Sequence, residues 1–299
     1  MSSRFALGAL CILGTVTIWA GWYVVIRLGL SSSSLDVQDL AALRFGVAGL
    51  LMLPVIWRRG LALDRLGWAG VVAIALGGGA PFALLVGAGL VYAPVAHASA
   101  LVQGTVPLTV GMLAAIVLKE KQTVANLLGF GLIVAGALLI AGISLAEIES
   151  RETIGHAFFI GASILWAAYT VALRKAHLNG LHAPAIAAVA SLVFYIPAYL
   201  YFRAGHLFAA PVADLLVQGF YQGVLTAVLS LVLYSFGVAR LGASAAGAFV
   251  AFGPFIAALL AIVVLGEPMA LHDWLAIAII TLGVALASGA FARPKPQPT

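Results

Sequence analysis

The chain has 299 residues, of which 64% are hydrophobic and only 8% charged, where a soluble domain carries about 25% charged residues. That composition excludes an ordinary soluble domain and describes an all-α polytopic membrane protein in contact with a lipid bilayer. The excess of 15 basic over 10 acidic side chains does not point to a nucleic-acid partner, because the bases cluster where loops on one side of a membrane would hold them.

A hydrocarbon core of about 30 Å takes about 20 apolar residues per helix. The sequence divides into ten such spans, at residues 5–29, 40–57, 67–91, 95–118, 124–143, 153–174, 183–202, 213–239, 243–265 and 271–291. With a cytoplasmic N-terminus, the inner loops and tails hold Arg4, Arg58, Arg59, Arg65, Lys119, Lys121, Arg174, Lys175, Arg240, Arg293 and Lys295, eleven of the 15 bases. Both termini are therefore expected in the cytoplasm of a bacterial-type inner (plasma) membrane. The first apolar run is too long for a signal-peptide core and is read as a retained helix. Cys11 is the single cysteine, so no intramolecular disulfide is possible.

In span 1, Trp19, Trp22 and Tyr23 share one side with Thr15, since residues three or four apart are neighbours on a helix. Aromatic residues so near mid-span face either lipid or an internal cavity. Span 2 carries Arg44 about 6 Å of helix rise inside its start, and the expectation is that it snorkels outward or pairs with Asp36 or Asp39 in the adjoining loop. Span 3 holds Gly77, Gly78, Gly79 and Pro81 in near succession, followed by Phe82, so a bend is expected there. Span 4 has His97 one turn inside its start, then Ser99, Gln103, Thr105 and Thr109. Buried polar groups want partners; His97 is either a bonded histidine near the outer surface or a substrate contact. Glu120, between Lys119 and Lys121, is expected to pair there. Span 5 is rich in glycine and suits close helix packing.

The stretch Ala93 to Gln122 returns in edited form as Arg240 to Met269. Pro107 matches Pro254, Glu120 matches Glu267, Trp19 matches Trp166, Arg27 matches Arg174 and Gly136 matches Gly283, every pair 147 residues apart. The chain is duplicated, with expected halves at 1–146 and 147–299, joined by a polar linker carrying Glu147, Glu149 and Glu152. Five spans per half is an odd number, so the second half enters the membrane from the opposite side and the repeat is inverted. Inverted repeats with interrupted helices in corresponding places point to a transporter with a shared central site. Gly78, Pro81, Pro107 and Pro254 are the candidate hinges, and the bend in span 3 is asymmetric, since its counterpart near residues 224–228 has no glycine or proline.

In the second half, span 6 repeats the aromatic face with Trp166 and Tyr169. Span 7 carries Tyr195, Tyr199 and Tyr201, read as an interfacial belt. Span 8 offers a polar seam of Thr226, Ser230, Tyr234 and Ser235, and span 9 places Ser244 where His97 stood. All ten acidic residues fall in loops or at span ends, which argues for a neutral, zwitterionic or largely apolar substrate rather than a cationic drug. No nucleophile–base pair, metal-ligand cluster or phosphate-cradling loop stands out, so neither cofactor nor metal nor enzymatic chemistry is expected. Exchange of an anionic metabolite such as a nucleotide sugar needs buried cations, for which Arg44 is the sole candidate. A non-transporting scaffold has no obvious use for an inverted duplication.

The small residues leading to a proline and then to LKEKQ or LGEPM resemble the EamA-type modules of the drug/metabolite transporter superfamily, across both halves. The start TIWAGWYVVIRLGL, with Trp19 and Trp166, is similar to the YddG-type exporters of aromatic amino acids. This resemblance implies ten helices, alternating access, a cavity between spans 1, 3, 4, 6, 8 and 9, and export of amino acids or related metabolites. The expected lining is Trp19, Trp22, Phe82, His97, Gln103, Trp166, Tyr169, Tyr234 and Ser244, with the tryptophans stacking on substrate and His97 and Gln103 orienting its polar groups. Proton coupling through His97 and facilitated diffusion both remain open, as does the oligomeric state: spans 5 and 10 could pack within the chain or between copies.

Overall fold

The computed structural model describes residues 3–146, 151–178 and 180–288, which form helices and short connections with no strand among them. Glu147, Glu149, Gly289, Arg293 and Lys295 lie outside the described residues, as does the side chain of Ser244. The ten spans appear as α1 (Ser3–Ser32), α2 (Val37–Arg59), α3 with α4 (Leu63–Gly78, Ala80–Tyr92), α5 with α6 (Val95–Val102, Val106–Val117) and α7 (Val124–Ala146). The second half follows with α8 (Arg151–Lys175), α9 (His182–Ala209), α10 and α11 (Val212–Gly219, Ser230–Leu241), α12 and α13 (Ala243–Val250, Gly253–Leu260) and α14 (Leu271–Ala287). Among the described residues, nine spans have the length and apolarity to cross a membrane, and α14 is a shorter apolar helix.

Local chemistry sets the boundaries. Asp36 caps α2 by accepting from the backbone N–H groups of Gln38 and Asp39, while the Asp39 carboxylate accepts from Asp36 N–H, a reciprocal box that fixes a helix start. The helix thus begins at Val37, three residues earlier than the apolar pattern implies. Thr123 with Asn126 caps α7, and Ala270 with Asp273 caps α14 in the corresponding place, each backbone N–H donating at 3.0 Å.

Three spans are broken. At Gly79 the backbone turns extended, and a Cβ there would stand 2.1 Å from the Ala75 carbonyl, so only glycine fits. The freed Ala80 N–H donates to Ser191 Oγ at 2.9 Å, and that hydroxyl donates to Ala187 O at 2.8 Å, which answers the need for a partner inside a membrane. Pro81, Pro107 and Pro254 each lie in the first two positions of a half-helix. There the missing N–H would have been unpaired anyway. At the counterpart of the Gly79 break the chain stays helical but widens into a π-helical stretch, Phe220–Leu229, with Thr226 Oγ1 donating to Tyr221 O at 3.0 Å. The bend is asymmetric, and its second-half equivalent is a loosened turn.

The halves interlock. α1 packs on α11 and α13, and α8 packs on α3, α4 and α6, while α2 pairs with α9 and α7 with α14. Exchanging the two halves maps this contact pattern onto itself. Near the start of α8, a Cβ on Gly155 would touch Gly89 O and Ala93, and near the end of α1 Arg27 donates to Leu90 O. α8 therefore begins on the face where α1 ends, and the repeats are inverted. The glycine-rich pair α7 and α14 meets within the chain: a Cβ on Gly129 would lie 2.6 Å from Gly283 O, and one on Gly283 2.7 Å from Gly129 O. Two tyrosines expected in an interfacial belt instead dock α9 onto the start of α2. Tyr195 donates to Gln38 O, and buried Tyr199 donates to Asp39. Tyr201 alone of the three is strongly exposed, at 83%.

Candidate functional site

At the crossing of the two repeats lies a cavity of about 170 Å³, comparable with the roughly 150 Å³ that accommodates a benzene ring in an apolar protein core. Its walls include Trp19, Trp22, Phe82, Gln103, Trp166 and Tyr169, with Gly78 beside them. The aromatic rings form a continuous chain. Tyr169 and Trp166 centroids are 4.9 Å apart, Trp166 and Phe82 5.1 Å, and Phe82 and Trp22 5.8 Å with nearly parallel planes. The glycine run explains how α3 reaches this wall, since a Cβ on Gly78 would stand 2.9 Å from the Tyr169 ring.

Span 8 sets the planes of both α1 tryptophans. Trp22 Nε1–H donates to Gln222 Oε1 at 2.6 Å, and Gln222 Nε2 donates to Gln218 Oε1 at 3.2 Å. Trp19 Nε1–H donates to Ser230 Oγ at 3.0 Å, and that hydroxyl donates to Thr226 O at 2.6 Å. Tyr234 stands outside the lining and packs on Trp19, centroids 5.5 Å apart. Gln103 closes the break in span 4 and presses on Gly253 at the break in span 9, where an added Cβ would lie 2.5 Å from its Oε1.

The cavity also receives α2 and α9, which the expected lining omits: Arg44, Phe45, Ala48, Met52, Pro184 and Ala188. Arg44 departs most from expectation. It neither snorkels nor pairs with Asp36 or Asp39. Asp36 pairs with Arg203, and buried Asp39 bonds Tyr199 and His206. Starting α2 at Val37 puts Arg44 seven residues in, about 10 Å along the axis, and its guanidinium lies 4.6 Å from the centroid of the Trp22 ring.

His97, expected in the cavity, is elsewhere. It is buried at the start of α5, with Nε2 3.0 Å from Asp273 Oδ1 and Nδ1 3.1 Å from His156 Nε2. Glu152 Oε2 stands 3.9 Å from the same Nδ1, so the fold gathers His97, His156 and Glu152 with ligating atoms within 4.8 Å of one another. Nothing in their sequence spacing signals this cluster.

Two ion pairs flank the cavity on opposite faces. Glu120 bonds Arg174 at 2.7 and 3.0 Å, rather than either adjacent lysine, and Glu267 stands 3.2 Å from Arg27. They are the same pair in the two repeats. Each joins the end of the first helix of one half to the end of the fourth span of the other.

Comparison with known proteins agrees with this duplication. The model of the EamA-like transporter family matches twice, at residues 6–142 and 153–289, two segments displaced by the 147 residues that separate the paired motifs. A probable terminal-alkyne amino-acid exporter of Streptantibioticus cattleyicolor is 30% identical over 86% of this chain and 86% of its own. The uncharacterized transporter YyaM of Bacillus subtilis is 29% identical over 85% of each. A crystal structure 21% identical in sequence shares the fold, with a TM-score of 0.53 over 96% of this chain and 98% of that one. Ten apolar spans, an inverted duplication around an aromatic cavity, and a family match over each half lead to one assignment: the chain belongs to the EamA-like transporter family.

Proposed function

We propose that the protein exports amino acids with aromatic or other apolar side chains, or closely related metabolites, across a bacterial-type inner membrane. Both termini are cytoplasmic in this reading, and the two repeats rock about the cavity so that it opens to each side in turn. The observation that carries the proposal is the aromatic wall of Trp166, Phe82 and Trp22 around a space about the size of one aromatic ring. Flat rings offer large stacking surface to a planar or aliphatic side chain. The relative named as an amino-acid exporter supports the same class. A nucleotide sugar, with two phosphates, fits less well, because a single guanidinium among the described residues lines the cavity.

The test is uptake of radiolabelled tryptophan, phenylalanine, methionine and threonine by proteoliposomes holding the purified protein, with and without a pH gradient. Uptake of the first three is expected, and Trp166→Ala should reduce it at least tenfold while leaving insertion unchanged. A stacked aromatic contact with its area contributes about 1.5–3 kcal/mol, which corresponds to that loss. Uptake that appears only with a pH gradient identifies proton coupling. Absence of uptake of every amino acid, from folded protein, removes this reading.

A further inference from the structure

Among the described residues, Arg44 is the one charged side chain in the cavity wall. Its Nε and Nη1 atoms are closed to water and have no hydrogen-bond partner, and the aspartates nearest in sequence are held by Arg203, Tyr199 and His206. A guanidinium carries five donors and stays charged. Burying it without a counter-charge is costly. The Trp22 face at 4.6 Å and the Phe45 face at 5.6 Å supply partial compensation through their negative quadrupoles, but neither accepts the in-plane N–H bonds.

We infer that Arg44 is the anion-binding point of the cavity and makes the protein selective for a carboxylate attached to an apolar or aromatic group. The inference deepens the proposed amino-acid export and rests on that reading's cavity. The complementary observation is that no aspartate or glutamate among the described residues is in the wall. A substrate ammonium therefore finds no counter-ion there, only aromatic faces, the Gln103 amide and the hydroxyls of Tyr23, Tyr169 and Thr226. The carboxylate is required and the ammonium is not. Amino acids enter because they carry a carboxylate, and 2-oxo acids or N-acyl amino acids with the same side chain are accommodated equally. The corresponding amines, which would bring a second cation beside Arg44, are rejected.

A series with one side chain and varied charge tests this on the unmodified protein. In proteoliposomes, labelled phenylalanine, phenylpyruvate and N-acetylphenylalanine are expected to be taken up, while phenethylamine and phenylalaninamide do not enter and compete only weakly. A charge-assisted bond contributes about 1.5–3 kcal/mol, so loss of the carboxylate should weaken competition by about tenfold to a hundredfold. Arg44→Gln should reduce uptake of all three carboxylates by the same factor, with Arg44→Lys intermediate, in protein that elutes and melts like wild type. Competition by phenethylamine equal to that of phenylalanine overturns the inference without any variant. So does Arg44→Gln protein that takes up phenylalanine at the wild-type rate, although amino-acid export then stands. Uptake of phenylpyruvate without phenylalanine would instead remove the amino-acid reading and leave the carboxylate site. If no compound of the series enters wild-type liposomes or shifts its melting temperature, the carboxylate site is refuted.

Discussion

His97 holds two buried neighbours at once. Its Nε2 stands 3.0 Å from the Asp273 carboxylate and its Nδ1 3.1 Å from His156 Nε2. His97→Ala strips a partner from both groups, and each buried polar group left short costs about 1–3 kcal/mol. The expected result is a melting temperature several degrees lower in detergent with an unchanged KM for transport, because His97 touches no part of the cavity. A tenfold rise in KM at unchanged stability would put the histidine in contact with substrate. At this scale the sequence was legible where a residue's neighbours lie on its own helix. Trp19, Trp22, Trp166 and Tyr169 point to one interior because helical spacing aligns them. His97 and Arg44 were not legible, since their surroundings depend on groups such as Asp273, Tyr199 and His206, more than 150 residues away in the chain.

Among the elements, the broken spans give the clearest dependence of structure on chemistry. The Gly79 break leaves one backbone N–H to be satisfied, and Ser191 of α9 satisfies it. Ser191→Ala should destabilise the protein by about 1 kcal/mol, the usual range for an interhelical bond in a membrane, and Ser191→Thr should recover part of it. Equal melting temperatures for Ser191→Ala and wild type would show that the break needs no partner from α9. The contact between α7 and α14 is less forgiving. A leucine at Gly129 would drive its Cβ to 2.6 Å from the Gly283 carbonyl and 2.7 Å from Ala287 N, both backbone atoms that cannot rotate away. Gly129→Leu should therefore fail to yield monodisperse protein, whereas Gly131→Leu, with open space around it, should purify normally. Glycine and proline announce the breaks in spans 3, 4 and 9. The π-helical stretch in span 8 holds a lone glycine, Gly223, and no proline, too little to announce it.

Across the whole molecule, the paired charges link the two halves. The 147-residue offset identifies Arg27 with Arg174 and Glu120 with Glu267, but correspondence does not say which residues touch. The inverted packing decides it, setting each arginine against the other half's glutamate. The two pairs differ in strength. Arg174 and Glu120 are 43% and 40% exposed, so screening leaves their attraction at about 0–1 kcal/mol. Glu267 is 15% exposed and also accepts from Val95 N–H at 2.9 Å, while Arg27 donates to Leu90 O. This pair therefore ties the ends of α1, α4 and span 9 into one knot. If the repeats rock, each pair must part when the cavity opens on its own face. Glu267→Gln keeps the bond from Val95 and removes only the charge. It should raise labelling of Ala188→Cys by an impermeant maleimide, in a Cys11→Ser background, from the face where α1 ends. Glu120→Gln should raise labelling from the opposite face, and by less, because less is lost. Labelling that rises on the same face for both variants, or on neither, would show that these pairs do not govern which side of the cavity opens.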